Sequence, residues 1–325
     1  MRRVSKHFAS KRKRQYSRKA KIEKQYSNYY TAFLRESLQN KSRGAAGFAV
    51  KQMSLTGLIH ATFVAERHGH NLMITSKQNH LIRAFRASDD LFLVEGAKLV
   101  KEALEAGFLP KLAAFGESAR NEHPELFARL SGIIETSLIT PYLAEYIADT
   151  KNPQGIFAKF ERKRNFVDFG EARRVIILDR VQDPGNAGAI IRSCEAFGFD
   201  FIIRSNDSVD FYNPKVIRAS AGSVFRLTEL QGELHELIGK LKRSGFLVLA
   251  SVLDDDAVPL KKAAEEVSAV CDGKVAVIIG NEGKGISAEM LAFCDRKLYI
   301  PIKGAESLNA GVAAGIICYE LGVKG

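Results

Sequence analysis

The sequence predicts an α/β protein built on a parallel sheet, in two globular parts behind a basic N-terminal tail. Three observations carry that expectation. From about residue 72 to the end, short apolar runs alternate with amphipathic stretches of helical period, as in strands covered by helices on both faces. Glycine-rich turns follow three of these runs, after residues 179, 280 and 302, and open α/β sheets bind ligands at the carboxyl ends of their strands. The 325 residues, 46% of them hydrophobic, suffice for two ordinary cores.

The tail comes first. Residues 1–51 hold 15 lysines and arginines against 2 glutamates, whereas the rest holds 33 against 35 acidic residues, so the whole net charge of +11 originates in the tail. KRKR at 11–14 lies among Tyr16, Tyr26, Tyr29 and Tyr30. Such a segment can grip RNA phosphates without sequence preference, or can stand as a solvated, poorly ordered extension. Its Arg-rich, acid-poor composition also resembles an organelle transit peptide. We assign 1–70 to this extension.

The first globular part is 71–165. LFLVEG reads as a strand and AKLVKEALEAG as an amphipathic helix ending at Gly107. LAAFG at 112–116, a helix near 123–131 and GIIETS continue the alternation, and GIFAKF at 155–160 closes it as a strand. The stretch 161–174, ERKRNFVDFGEARR, is charged and lacks a period, and 166–174 is taken as the linker. The second part, 175–325, offers strands VIILD (175–179), FIIR (201–204), FLVLAS (246–251), VAVIIG (275–280) and LYIPI (298–302). Helices are expected near 187–197, 213–221, 232–244, 286–293 and 307–321.

Several classes are disfavoured. No stretch approaches 18 uninterrupted apolar residues and no apolar signal core opens the chain, so a soluble cytoplasmic protein is expected. Cys194, Cys271, Cys294 and Cys318 form no CxxC pair, and His68 and His70 have no ligand cluster nearby, so no metal is expected. GNEGKGIS (280–287) imitates a P-loop but places Ile286 where the phosphate-binding lysine must stand. GKGISA matches a dinucleotide fingerprint formally. However, GNE separates it from its strand, and no acidic residue closes LYIPI to hold a ribose. DPGNAGAIIRS (183–193) has neither the lysine nor the third glycine of a phosphate loop, and carries Arg192 in its helix instead.

Three segments together, NAGAIIR (186–192), IIGNEGKGIS (278–287) and IPIKGAESLNAGVAAGI (300–316), resemble the three motifs of the SpoU/TrmH family of RNA ribose 2′-O-methyltransferases, in the SPOUT superfamily. NPKVIRASAGSVFRL (213–227) is similar to that family's middle segment, and 73–165 resembles the substrate-binding domain that often precedes it, itself similar to kink-turn-binding ribosomal proteins. One departure stands out: the third motif is one residue shorter than usual before SLN, with Lys303 in place of an apolar or small residue.

The resemblance implies a deep trefoil knot in 175–325, a homodimer built around it, and S-adenosylmethionine as methyl donor. Gly280, Ile300, Ile302 and Leu308 are then expected at the donor, and Asn186 and Glu282 should join the first two motifs. Ser307 and Asn309 open the last helix, where capping and a site role are compatible. The AGVAAG run after them suits close helix packing, in the knot or at a dimer face. Arg192 is the family's catalytic arginine. A guanidinium, with its pKa above about 12, is a demanding general base, and a forked hold on the target phosphate with stabilisation of alkoxide character is the alternative. Arg180, Lys215, Arg218 and Arg226 are candidate RNA-backbone contacts. The expected function is methylation of a ribose in structured RNA, ribosomal RNA ahead of transfer RNA. A non-catalytic RNA-binding factor is the runner-up and a nicotinamide enzyme a distant third.

Overall fold

The computed structural model describes residues 76–87, 90–163, 165–270, 273–304 and 307–322; the readings attached to the tail 1–70 lie outside these residues. The first part runs α1 (Ser76–Arg86), β1 (Leu91–Glu95), α2 (Ala97–Glu105), β2 (Pro110–Gly116), α3 (Glu117–Glu122), α4 (Pro124–Ser131), β3 (Thr136–Ile139), α5 (Pro141–Ile147) and β4 (Ile156–Glu161). Its sheet has the order β1-β4-β2-β3, antiparallel except for the β2–β3 pair. Period-2 alternation divides β4 between two cores. Ile156, Ala158 and Phe160 face the large core shared with the second part, while Phe157 faces Leu143 and Ile147 of α5.

The second part continues β5 (Arg174–Leu178), α6 (Pro184–Ala196), β6 (Phe201–Arg204), α7 (Pro214–Ala219), a 3₁₀ turn at Ser223–Phe225, β7 (Thr228–Gln231), α8 (Leu234–Arg243), β8 (Leu247–Ser251), β9 (Val258–Pro259), α9 (Leu260–Val270), β10 (Val275–Ile279), α10 (Ala288–Phe293), β11 (Arg296–Tyr299) and α11 (Ala310–Leu321). All seven strands are parallel, in the order β7-β6-β5-β10-β8-β11-β9. Both faces are covered, which is why the strands read as continuous apolar runs. Ile176 and Leu178 pack with Ile190 of α6 and Ile317 of α11. Val175 and Ile177 pack on the opposite face with Ile238 of α8 and Met290 of α10.

Local chemistry explains the helix starts. Asp183, Asn213 and Ser287 each accept a backbone N–H of the first turn of the helix that follows, and Pro184 and Pro214 sit in first turns where a missing N–H costs nothing. The last strand differs from the expected LYIPI: it spans Arg296–Tyr299, and Ile300–Ile302 lie outside it. The last helix begins at Ala310, with Asn309 as its cap and Ser307 before it. Strands β7 and β9 and helices α1, α3, α5 and α9 were not expected.

The seam between the two sheets is apolar inside and ionic outside. Phe92 of β1 stacks on Tyr212 with ring centroids 4.3 Å apart, and Phe108 meets Phe225 edge-on at 5.6 Å. Around them Arg162 forks onto Asp210 at 2.9 and 2.6 Å, Arg218 pairs with Asp149 at 2.6 Å, and Arg226 reaches Glu102 at 3.2 Å.

Candidate active site

The three glycine-containing turns meet at the carboxyl edge of the parallel sheet, because β5 and β10 are neighbours in register, with Leu178 opposite Ile279. The first turn starts at Asp179, buried at 3% exposure. Its carboxylate accepts the Ser287 backbone N–H at 2.6 Å and the Arg180 Nε at 2.9 Å, tying the first turn to the second. Burial alone would push this carboxyl upward, but the bonds from Arg180 and Ser287 more than offset it, so Asp179 titrates below the ordinary aspartate range. Arg180 takes a left-handed backbone, φ 59°. Its N–H donates to the Ser205 hydroxyl at 3.0 Å and its carbonyl accepts from Asn281 Nδ2 at 2.8 Å, so the sparsely populated conformation is held from both sides.

The second turn folds on itself. Asn281 and Gly285 exchange backbone hydrogen bonds, at 3.1 and 2.8 Å, and the Asn281 side chain accepts from the N–H groups of Gly283 and Lys284. Gly280 is required by this crossing: a Cβ there would lie 2.4 Å from backbone atoms of Gly285 and Ile286.

A relay of side chains then links all three motifs. Asn186 Nδ2 donates to Glu282 Oε1 at 2.9 Å, and Asn309 Nδ2 donates to Asn186 Oδ1 at 2.8 Å. Glu282 also accepts the Asp183 N–H at 3.4 Å, and Asn309 Oδ1 accepts the Val312 N–H at 3.2 Å. Asn186 is buried, so both ends of its amide meet partners where an unmade bond would be expensive. Helix α6, which carries Asn186, is pressed between two neighbours that need small residues. A Cβ on Gly188 would lie 2.3 Å from that of Ala219 in α7, and one on Gly311 of α11 would lie 3.1 Å from that of Ala189.

Two helical turns beyond Asn186, Arg192 is exposed, and none of the described residues forms a hydrogen bond or ion pair with its side chain. The other basic candidates divide. Lys215 is exposed, its side chain likewise without a described partner. Arg180 is spent on Asp179 and the Gly285 carbonyl, Arg218 on Asp149, and Arg226 on Glu195 and Glu102. Ile300, Ile302 and Leu308 are half-buried beside the relay's third segment, and Ile300 packs against the main core. Ser307 is exposed and shows no side-chain bond among the described residues. Asp179, Asp183 and Asn281 were missed by the sequence reading; a carboxylate closing a buried strand, as in VIILD, was the available signal. Among the described residues no cluster of His, Cys, Asp or Glu is placed to hold a metal ion.

Comparison with known proteins adds the following. Residues 173–319 match the model of the SpoU rRNA Methylase family, and 79–158 match the MRM3-like substrate binding domain. The chain is 33% identical to the Bacillus subtilis 23S rRNA (guanosine(2553)-2′-O)-methyltransferase RlmP over 242 residues, covering 73% of this chain and 90% of that relative. Its fold is similar to the crystal structure of an rRNA methyltransferase from Sinorhizobium meliloti, with TM-score 0.64 and 26% identity over 76% of this chain and 95% of that one. The AdoMet-bound form of the Sinorhizobium meliloti enzyme gives TM-score 0.65 at 25% identity, over 78% and 96%.

Proposed function

Because the chain belongs to the SpoU rRNA methylase family, we propose that its three-turn junction transfers a methyl group from S-adenosylmethionine to a ribose 2′-hydroxyl of structured RNA, with large-subunit ribosomal RNA ahead of transfer RNA. The observation that carries the reading is the Glu282–Asn186–Asn309 relay, which binds the three motif segments into one edge with an unpartnered arginine beside it.

The residues present suit the donor. The backbone crossing at Gly280 leaves no room for a side chain, and half-buried Ile300, Ile302 and Leu308 supply apolar surface of the kind an adenosine packs against. S-adenosylmethionine, when bound, supplies a methyl group already activated by its sulfonium. What remains for the chain is orientation and the handling of the hydroxyl proton. The relay fixes the backbone of all three turns, so alignment is set before RNA arrives; positioning of this kind can supply roughly 7–11 kcal/mol of a barrier. Arg192, with five donors and no partner among the described residues, is free to fork onto a phosphate of the target nucleotide and to stabilise negative charge developing on its 2′-oxygen. Lys215, also open, is assigned to the RNA backbone.

The knot and the dimer belong to the same proposal. Helix α11 follows β11 yet packs on α6, the helix that follows β5, so the chain's end crosses over β8 and β10 to reach it. This return across the sheet supports the knotted reading. On the outer side of α11, Val312, Ile316 and Tyr319 are 52, 38 and 68% exposed at helical spacing, an apolar stripe suited to a second copy. Residues 71–165 are assigned to RNA selection, and the cytoplasm is the proposed compartment, supported by the bacterial relative. No helix among the described residues is long and apolar enough to cross a membrane.

The direct test maps ribose methylation across ribosomal and transfer RNA with and without the gene. Loss of one 2′-O-methyl in large-subunit RNA is expected. Loss confined to transfer RNA would move the acceptor assignment, and no loss, with no heat on calorimetric titration of S-adenosylmethionine, would overturn the reading.

A further inference from the structure

Among the described residues, Arg226 touches both parts of the molecule, Glu102 of α2 and Glu195 of α6, the helix that carries Arg192. It follows the 3₁₀ turn Ser223–Phe225 and grips Glu195 of α6 through both carboxylate oxygens, Nε to Oε1 and Nη2 to Oε2, the latter at 3.1 Å. Its Nη1 reaches Glu102 of α2 at 3.2 Å. The grip is built rather than incidental. Gly222, four residues earlier, has φ +90°, a backbone that favours glycine, and the Glu102 carboxylate fills the space where a Cβ would stand, 1.6 Å away. Glu195 and Glu102 are 29% and 18% exposed and Arg226 is 44% exposed, so the pairs stand at the surface with their carboxylates partly sheltered.

Glu195 lies three residues after Arg192, within the same helix. Side chains at that spacing are neighbours on a helix surface, with Cβ atoms roughly 5–6 Å apart. A carboxylate left free there would pair with Arg192 and repel an approaching phosphate. Arg192 nevertheless stands exposed, with no described partner, while both carboxylate oxygens of Glu195 are taken by Arg226.

We propose that Arg226 is a positioning residue for the methyl transfer: by holding Glu195 away from Arg192, it keeps the arginine's fork open for the RNA phosphate. The inference rests on the role given to Arg192 above. Arg226 acts through Glu195 and does not itself contact the RNA.

The test uses total RNA from a strain lacking the gene as methyl acceptor, with tritiated S-adenosylmethionine and the full chain. Arg226→Met keeps the stem and removes the charge. We expect it to raise KM for RNA on the order of tenfold, as one uncompensated charge several ångströms from a phosphate would, and to leave kcat and the donor Kd within about twofold. The double variant Arg226→Met/Glu195→Gln should return KM to within about threefold of the parent, and Glu195→Gln alone should be near parental. A double variant as poor as Arg226→Met overturns the inference, since a direct RNA contact or a purely mechanical tie between the two parts would behave so. Glu102→Gln separates these: it loosens the tie without freeing Glu195, and a KM defect equal to that of Arg226→Met would also overturn it. Donor binding by calorimetry shows that each variant is folded. Failure of the underlying reading looks different, since Arg192→Ala would then retain turnover whatever stands at 195 and 226.

Discussion

The carboxyl edge of the parallel sheet and the seam between the two sheets are both rich in charge, but they treat it oppositely. At the seam Arg162, Arg218 and Arg226 each meet a carboxylate, and the charge is neutralised where two surfaces must stay together. At the edge the Asp179–Arg180 pair ties the first two turns, the Asn186 and Asn309 amides with Glu282 join all three, and Arg192, farther along α6, is left without a partner among the described residues. Charge that is already paired adds little to recognition of a polyanion, because the pair must first be broken. An arginine held in place by its helix, and not by a counter-ion, keeps its full attraction for phosphate. Location in the cleft therefore says less about RNA contact than the partner a cation already has.

The largest effect is expected at the open cation. Arg192→Ala should lower methyl transfer on the order of 10²–10³-fold, the scale for loss of a preorganised charge-stabilising donor, while calorimetry shows the donor Kd unchanged. Arg192→Lys should be nearly as poor if the fork matters, and substantial turnover in the lysine variant would reduce the role to a point charge. Next comes the backbone crossing. Gly280→Ala drives a Cβ to 2.4 Å from the backbone of Gly285 and Ile286, neither of which can yield as a flexible side chain would. A loss of about 1–3 kcal/mol of stability is expected, with donor affinity falling alongside it. Weakened donor binding at unchanged thermal stability would place the strain in the site alone. Third is the relay: Asn186→Ala removes the two bonds that join the motifs, and because Asn309 and Glu282 are exposed and can turn to water, a loss of about 0.5–1.5 kcal/mol per bond is expected. Urea unfolding checks this, and Asn186→Asp should be worse than Asn186→Ala, since it sets two carboxylates face to face.

The contrast between edge and seam was only half legible in the sequence. Strands β5, β6, β8 and β10 announce themselves as uninterrupted apolar runs because both their faces are covered. Strand β7 was invisible: TELQ carries one aliphatic residue, and its Glu229 serves Arg204 of the neighbouring strand rather than a core. The two residues of β9 are too few to show a period, and the Asp-rich 254–256 with Pro259 hid the helix that follows. Among candidate site residues, Asn186, Glu282 and Asn309 could be named because the segments that carry them resemble the motifs of a known family. Asp179 and Asn281 could not, since their roles depend on which turn they meet across the sheet. Pairing was the least legible property. Arg218 and Lys215 read alike in NPKVIR, yet Arg218 is tied to Asp149, 69 residues away in sequence, and the Lys215 side chain has no partner among the described residues.

The smallest effect is expected at the seam, at Arg218. Its Nη2 lies 2.6 Å from Asp149 Oδ2, but its Nη1 is buried without an acceptor among the described residues. The gain and the cost oppose each other. A partly exposed ion pair contributes about 0–1 kcal/mol, and an unmade bond on a buried donor costs about 1–3 kcal/mol, so the guanidinium as a whole contributes little to stability. Arg218→Lys, which keeps a charge near Asp149 and removes the orphan donor, should leave the unfolding midpoint unchanged or slightly raised. Arg218→Ala should cost less than about 1 kcal/mol, and a double-mutant cycle with Asp149→Asn should give a coupling below about 1 kcal/mol. A coupling above about 2 kcal/mol would mean that seam ion pairs hold the two parts together. The stack of Phe92 on Tyr212 would then lose its place as the main adhesive, and the neutralised seam would count as a structural element rather than a region cleared of free charge.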